Sequence, residues 1–584
     1  MSNRKTRKTI IALLLIIFAA ALAYVIYSTA IKKSSAELYL DAESRNFERI
    51  VEKIGEYHST LIDKQTPYME NANRSRTELT ADITGGAEVF GLKDGGQLSE
   101  IIKKAKLVID TKRQPQKGIS ATEASLLLEK APFINAELFT DNNTIWAAVP
   151  DFMPGRYFSA ERDNLSGLYD RFGIPVKPLG IVNGTKIAES LIFDKDPFMA
   201  SAKKLGSIFA GYFNDETVIY NGKNVQTIGG TAIEGDEYLI TLDEEKATSL
   251  FKELLITVSE DDVLLKHTYG NYANMTALLD NAGLFRLFGY MDETGTMTLN
   301  DNERGIVNML GAKKDIDAFR SQLRQLADDY RVKGGMKMKV VIDKDLNILR
   351  REIILDLNNS KGAKSLKIDA SSGSSNTVFD DARNRFAKLT VEEYVNDTAN
   401  GTASKITEFS ITPAFEKTSG SDTDTAGKVD IIYAVTGSNG IRNQTDVSLD
   451  ISRGIDQALQ RINKTIKLTA KISGETGAGS ITGTLNNSSW SNKKLNTSNN
   501  TTNISFTADL PFLEINDFSA QLDIADEDSF GIEDFSLPDM NSGDVTDLYK
   551  ASDDELEKLK VEVMASFGAF YLNNKYIFDA FLGQ

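Results

Sequence analysis

The spacing of apolar and polar positions along this chain changes several times, and each change marks an element. Residues Ile10 to Tyr27 carry no charge and follow Arg4, Lys5, Arg7 and Lys8. A helix of that length spans roughly 27 Å, close to the ~30 Å hydrocarbon core of a bilayer. The basic flank predicts a cytoplasmic N-terminus, with everything beyond about residue 34 outside. Ala21-Leu22-Ala23 has the small residues of a signal cleavage site, but the run continues past it, which suits an anchor. Both readings stay open.

Leu40, Phe47, Ile50, Val51, Ile54, Tyr57 and Leu61 recur at helical spacing and predict an amphipathic helix over 37–61. Strand alternation follows at Leu107 and Ile109, at Ile134, Ala136 and Leu138, and at Ile145, Ala147 and Val149. Between them, Ser120 and Glu123 match a capping box, so a short helix is expected there, closed by Pro132. Helices are also expected at 197–213, after Asp243, across the greasy block 273–290 and at 314–330. The clearest strand pattern is Met336, Met338, Val340 and Ile342 against Leu349, Arg351, Ile353, Leu355 and Leu357, joined by a turn at Asp343–Asn347. From 402 to 524 the pattern is almost entirely β, with Asn486–Asn503 read as a long hairpin loop. Ser552-Asp553-Asp554-Glu555 opens a last helix that ends in Phe567, Phe570, Tyr571 and Phe578. Its aromatic end is expected to dock on a sheet.

These patterns predict an α+β fold. A single N-terminal transmembrane helix precedes large, curved antiparallel sheets with helices on one face, and the C-terminal third is mainly β. The expected regions are 1–33 (basic start and anchor), 34–255, 256–400 and 401–584.

Composition narrows the chemistry. The chain has no cysteine, which removes disulfides, thiolate metal sites and cysteine nucleophiles, and lipid attachment at cysteine with them. Beyond residue 33, 60 basic side chains face 83 acidic ones, a balance that repels nucleic acid. The only histidines, His58 and His267, are far apart in sequence, so histidine-based triads and metal sites are hard to build.

Two stretches resemble known families. Ala36-Glu37-Leu38-Tyr39-Leu40-Asp41-Ala42-Glu43-Ser44-Arg45-Asn46-Phe47, just after the apolar run, resembles an uncharacterised family of Gram-positive membrane-anchored proteins with β-rich ectodomains. The hairpin Lys339–Leu357 is similar to the strand pairs of lipoprotein carriers. That likeness implies a curved sheet plugged by helices, and in some members an acyl-chain site. Neither likeness carries a functional residue over.

No motif rises to an enzyme signature. Ser201-Ala202-Lys203-Lys204 and Ser491-Asn492-Lys493-Lys494 have the S-x-x-K spacing without its S-D-N or K-T-G partners. Asp343-x-Asp345-x-Asn347 begins like a calcium loop, but Ile348 and Ile354 stand where glycine and glutamate belong, so a hairpin turn is expected. The dense carboxylates Asp523, Asp526, Glu527, Asp528, Glu533 and Asp534 read as a solvated loop or as a weak calcium site.

The expectation is therefore a non-enzymatic, membrane-anchored extracytoplasmic protein without metal or cofactor. It would hold an apolar, lipid-like ligand beneath a curved sheet, lined by Leu278, Phe285 and Phe288. An envelope interaction or regulatory module is one alternative, and a cell-wall hydrolase or transferase is another. The expected partners are the membrane, through residues 10–27, and lipid or envelope proteins, with no nucleic acid. The expected location is the cell membrane, single-pass, with the C-terminal bulk extracytoplasmic.

Overall fold

The computed structural model describes residues 34–85, 95–161, 195–228, 231–267, 316–359, 364–374, 385–397, 402–417, 425–437, 440–456, 461–475, 477–492, 495–511, 515–538, 545–575 and 577–578, with single positions 164, 168, 171 and 459. Helix α1 (Ser35–Glu70), strand β1 (Asn73–Thr84), helix α2 (Gly95–Lys104) and strands β2 (Ala105–Gln114) and β3 (Ile119–Leu128) come first. Strands β4 (Ala131–Thr140), β5 (Thr144–Ala148) and β6 (Tyr157–Glu161) precede helix α3 (Lys195–Gly211). Next are β7 (Val218–Ile228), β8 (Thr231–Leu242), α4 (Glu244–Glu260), α5 (Asp262–Leu265) and α6 (Ile316–Asp329). An unbroken series of strands follows: β9 (Tyr330–Ile342), β10 (Ile348–Asn359), β11 (Lys364–Ser374), β12 (Arg385–Asp397), β13 (Thr402–Lys417), β14 (Thr425–Thr436) and β15 (Arg442–Asp456). The chain ends with β16 (Arg461–Gly474), β17 (Gly477–Asn492), β18 (Thr497–Leu510), β19 (Ile515–Phe530), β20 (Val545–Asp547) and α7 (Asp553–Asn573).

Strand is the dominant state, so the α+β expectation is corrected to a mainly β protein. The physical reason lies in polar, Thr/Ser/Asn-rich segments that pair over their full length instead of looping. Ser120 and Glu123 belong to β3 and not to a helix, because Ala124 and Leu126 find cross-strand partners in Ile109 and Leu107. Asn486 to Asn503 forms the facing halves of β17 and β18, with Asn486 opposite Asn503 and Asn487 opposite Thr502. Residues 1–33, which hold the expected anchor, lie outside the described residues, as does the block 273–290. Among the described residues no helix is long and apolar enough to cross a membrane.

The chain divides into two compact units, Met1–Ile62 with Pro178–Gln444, and Asp63–Lys177 with Thr445–Gln584. In the first, β7 to β14 form an antiparallel meander in sequence order. One apolar row crosses it from Ile240 through Met338, Ile353, Ala370, Leu389 and Ile411 to Ile431. Phe209 of α3, Leu250, Leu254 and Val258 of α4, and Leu323 of α6 join the Ile240–Leu389 part of this row in one core. Each such side chain contributes about 1.5–3 kcal/mol by leaving water. Asp243 starts α4 as expected, its carboxylate accepting from the Lys246 amide at 2.8 Å. The hairpin β9–β10 also forms as expected. Asp343 caps its turn by accepting from the amides of Asp345 (2.9 Å) and Asn347 (2.8 Å), the hairpin turn that the pattern predicts.

The second unit is another antiparallel series. β16 to β19 are consecutive neighbours, β19 pairs with β1, and β1 to β6 follow in order. Short β20 adds to β6 in parallel. The full capping box Ser552/Glu555 opens α7. The aromatic end of α7 docks as expected: Phe570 lies 5.3 Å from Phe133 of β4 and 4.7 Å from Phe152, ring centre to ring centre.

Candidate functional site

Strand alternation gives the second unit's sheet two different faces. On one, Arg76, Asp110, Glu123, Glu137 and Glu527 share a cross-strand row. Much of this charge is paired: Arg74 grips Asp110 through its Nε at 2.8 Å, and Arg76 reaches Glu78 at 2.9 Å. The Arg74 guanidinium holds the Asp110 carboxyl below its usual range. This is a solvated, ion-paired surface, and such pairs add little stability.

The other face divides along the strands. One end is apolar, with Leu485, Ile504, Leu522 and Ala81 in register. The other end is a polar strip. Ser489, Asn500, Asp526 and Thr77 form one row, and Ser498, Asp528, Ser75, Thr111 and Thr122 another. Neighbouring rungs lie about 4.8 Å apart across the strands, so these short side chains reach one another. Asn487 donates through Nδ2 to Asn500 Oδ1 (2.6 Å) and Thr502 Oγ1 (2.9 Å). Asn500 in turn donates to Asp526 Oδ2 (3.2 Å), and the Thr77 hydroxyl donates to Asp526 Oδ1 (2.8 Å). The Thr111 and Thr122 hydroxyls meet at 3.1 Å.

Tyr68, near the end of α1, completes the strip. Its hydroxyl donates to Asp528 Oδ2 at 2.7 Å, and its ring packs edge-on against Phe530 at 4.8 Å. Burial, then the hydrogen bond to Asp528, pushes the Tyr68 hydroxyl pKa well up, so it stays a proton donor. Among the described residues, Asp526 and Asp528 accept from neutral donors alone, with no ion pair. The strip side chains are half-buried, in contrast to Glu123 and Glu527 on the opposite face. Chemically the strip offers hydroxyls, amides and two carboxylates within a few ångströms, a set suited to exchanging hydrogen bonds with another hydroxyl-rich surface.

The carboxylate-rich segment therefore has a different setting from the solvated loop expected. Asp526 and Asp528 point to the strip, Asp523 and Glu527 to the opposite face, and Asp534 pairs with Lys117 at 2.7 Å. Alternation along β19 splits the cluster between two faces. Among the described residues no group of three or more acidic or histidine side chains converges to hold a metal. Composition alone had no signal for Tyr68 or for the Asn487–Asn500 ladder; the register of β17 against β18 brings them together.

Leu278, Phe285 and Phe288 lie outside the described residues. Ser201 sits on α3, where its hydroxyl donates to Asp261 at 3.0 Å. His267 packs edge-on against Phe198, ring centres 5.7 Å apart.

No family model matches the chain, and no curated protein matches it. Solved structures do. A loop-deletion mutant of OmpT, an outer-membrane protein of Vibrio cholerae, is 8% identical, covering 79% of this chain and 98% of that one at a TM-score of 0.21. The outer-membrane protein OpdK of Pseudomonas aeruginosa is 6% identical, covering 78% and 98% at 0.22. OccK10 (OpdN) of the same organism is 7% identical, covering 80% and 100% at 0.23. At such scores the traces do not superimpose as one fold, and no functional residue passes to this chain.

These findings correct the first expectations. The Gram-positive anchored family finds no match, while the neighbours are outer-membrane proteins of Vibrio and Pseudomonas. The single-pass cell-membrane location is likewise not retained: the similar solved structures are outer-membrane proteins, and among the described residues, which do not include 1–33, no helix is long and apolar enough to cross a membrane. The lipid-like ligand beneath the first unit's sheet is withdrawn as well. Tyr39, Phe209, Leu250, Leu323 and Met338, at most 2% exposed, fill the covered face with the protein's own side chains.

Proposed function

We propose that this is a membrane-associated, non-enzymatic binding protein whose second unit holds a hydrophilic, hydroxyl-rich ligand of the saccharide class along its polar strip. The observation that carries the reading is the half-buried strip itself. Hydroxyl, amide and carboxylate groups run in register across β17, β18, β19, β1, β2 and β3 on one face. A saccharide presents hydroxyls that both donate and accept, and Asp526, Asp528 and Asn500 accept and donate in return. The opposite face is occupied by ion pairs, Arg74 with Asp110 and Arg76 with Glu78, so its charges already have partners.

The Ser201 hydroxyl, the S-x-x-K nucleophile candidate on α3, donates a hydrogen bond to Asp261 at 3.0 Å. Calorimetric titration of the detergent-solubilised full chain with neutral and acidic oligosaccharides tests the reading. Binding that weakens at least tenfold, about 1.4 kcal/mol, in Asn500→Ala and in Asp526→Asn supports it. Absence of heat with every saccharide, or binding indifferent to both substitutions, sinks it.

A further inference from the structure

Helix α7 is apolar on two opposite sides. One side carries Leu559, which is buried, and Phe570, which meets Phe133 and Phe152. On the other, Val561, Met564, Gly568 and Leu572 recur at i, i+3, i+7 and i+11, about half a turn around the axis from Leu559. There Val561 is 66%, Met564 67% and Leu572 70% exposed. A Cβ on Gly568 would meet nothing within 4 Å, so the stripe has a notch between two large side chains. It runs about 16 Å along the helix. Contiguous exposed apolar surface of this kind marks an interaction site.

Two features of the stripe specify what covers it, and they agree. The first is size: Met564 is a long, adaptable knob, and Gly568, one turn further on, is a hole. A second α7 running antiparallel sets each Met564 against the other copy's Gly568. The second is charge. Exposed Asp554 and Glu557 make the start of α7 acidic, and exposed Lys575 follows its end. The antiparallel arrangement brings these opposite charges together, whereas a parallel pair would set acid beside acid. Glu557 has a same-helix contact with Lys560 at 3.5 Å, exposed and therefore weak enough to give way. Both features demand one register, because Met564 and Gly568, and likewise Glu557 and Lys575, lie equally far to either side of position 566. A contact of this symmetry is isologous and closes on itself. We propose that the outward stripe of α7 is a self-association surface, on which a second copy of this chain docks antiparallel through its own α7. Two helices meeting over this length bury less than the ~800 Å² per partner of a standard interface, so the dimer is a weak, reversible one.

Cysteine crosslinking of the detergent-solubilised full chain tests the proposal, since the parent has no cysteine. Ala565→Cys lies near the two-fold axis and should form a disulfide-linked dimer on oxidation. Glu557→Cys lies roughly 27 Å from its mate along the paired helices and should not. Adding Gly568→Glu to the Ala565→Cys variant closes the notch with like charges and should weaken dimerisation about tenfold. Glutamate favours a helix more than glycine does, so this variant keeps its fold, which an unchanged melting temperature verifies. Sedimentation equilibrium of the parent should show monomer and dimer exchanging with concentration. Crosslinking at both positions, a monomer at every concentration, or a dimer indifferent to Gly568→Glu overturns the proposal.

Discussion

At the scale of single residues, backbone geometry and buried charge set the sharpest constraints. Gly334 and Gly335 both have left-handed φ, +72° and +78°, as β9 crosses an irregular stretch. A Cβ on Gly334 meets nothing within 4 Å, but one on Gly335 lies 2.1 Å from the Leu242 carbonyl oxygen. Gly334→Ala should therefore cost about 1 kcal/mol of backbone strain. Gly335→Ala should cost clearly more, by several kcal/mol. Urea unfolding of the two variants checks the order, and equal losses would show that the contact with Leu242 relaxes freely. The Glu43–Arg351 pair gives two further expectations. Arg351→Met leaves a buried carboxylate without its counter-charge and is expected to lose about 3–5 kcal/mol. Burial raises the Glu43 pKa, against the pull of the Arg351 guanidinium. A carboxyl raised in the folded state stabilises the fold fully below its unfolded value, about 4.3. That contribution disappears as pH rises through the folded value. Parallel melts of the parent and Glu43→Gln should show the variant gaining on the parent as pH climbs from about 4. A pH-independent gap would mean that Glu43 titrates alike folded and unfolded.

At the scale of elements, α7 is held at both ends by different physics. Its start carries the Ser552/Glu555 capping box. Next to it Arg171 donates to the carbonyls of Leu548 (3.0 Å), Tyr549 (2.6 Å) and Ala551, and to Asp553 at 3.1 Å. Its far end is fastened by rings on Phe133 and Phe152. Ser552→Ala should cost about 1 kcal/mol. Amide exchange within 553–560 should speed up in that variant while 567–573 stays protected by the aromatic cluster. Uniform acceleration along the helix would show that the cap and the rings act as one cooperative unit. Elements also show which sequence signals were sufficient. The Met336–Leu357 hairpin, the Asp243 cap and the Ser552 box were legible because local chemistry and final structure agree. The Ser120/Glu123 box misled because a capping signature is a short-range preference. Pairing β3 with β2 over ten residues and with β4 over nine outweighs it.

At the scale of each unit, the second unit's sheet faces dictate what it can touch. A surface lined by Arg76, Asp110, Glu123 and Glu527 belongs in water, since an arginine at a bilayer midplane costs a strand about 2–4 kcal/mol and each acidic side chain adds a smaller penalty. The absence of cysteine makes this directly measurable. Single cysteines at Glu123 and Glu527, introduced into the membrane-bound full chain, should react readily with a charged maleimide. Protection of both positions until detergent is added would place that face against lipid.

What the chain's order of residues determined by itself was local: the charge-free leader, the alternating hairpin, the helix starts at Asp243 and Ser552, and the aromatic end of α7. These rest on neighbours within a few positions, where period and capping chemistry act directly. Only the tertiary structure decided that Asn486–Asn503 is two strands, that β19 pairs with β1 some 440 residues away in sequence, and that Tyr68 meets Asp528. Polar residues take either loop or strand according to whether a distant partner completes their hydrogen bonds, and no local pattern records that partner.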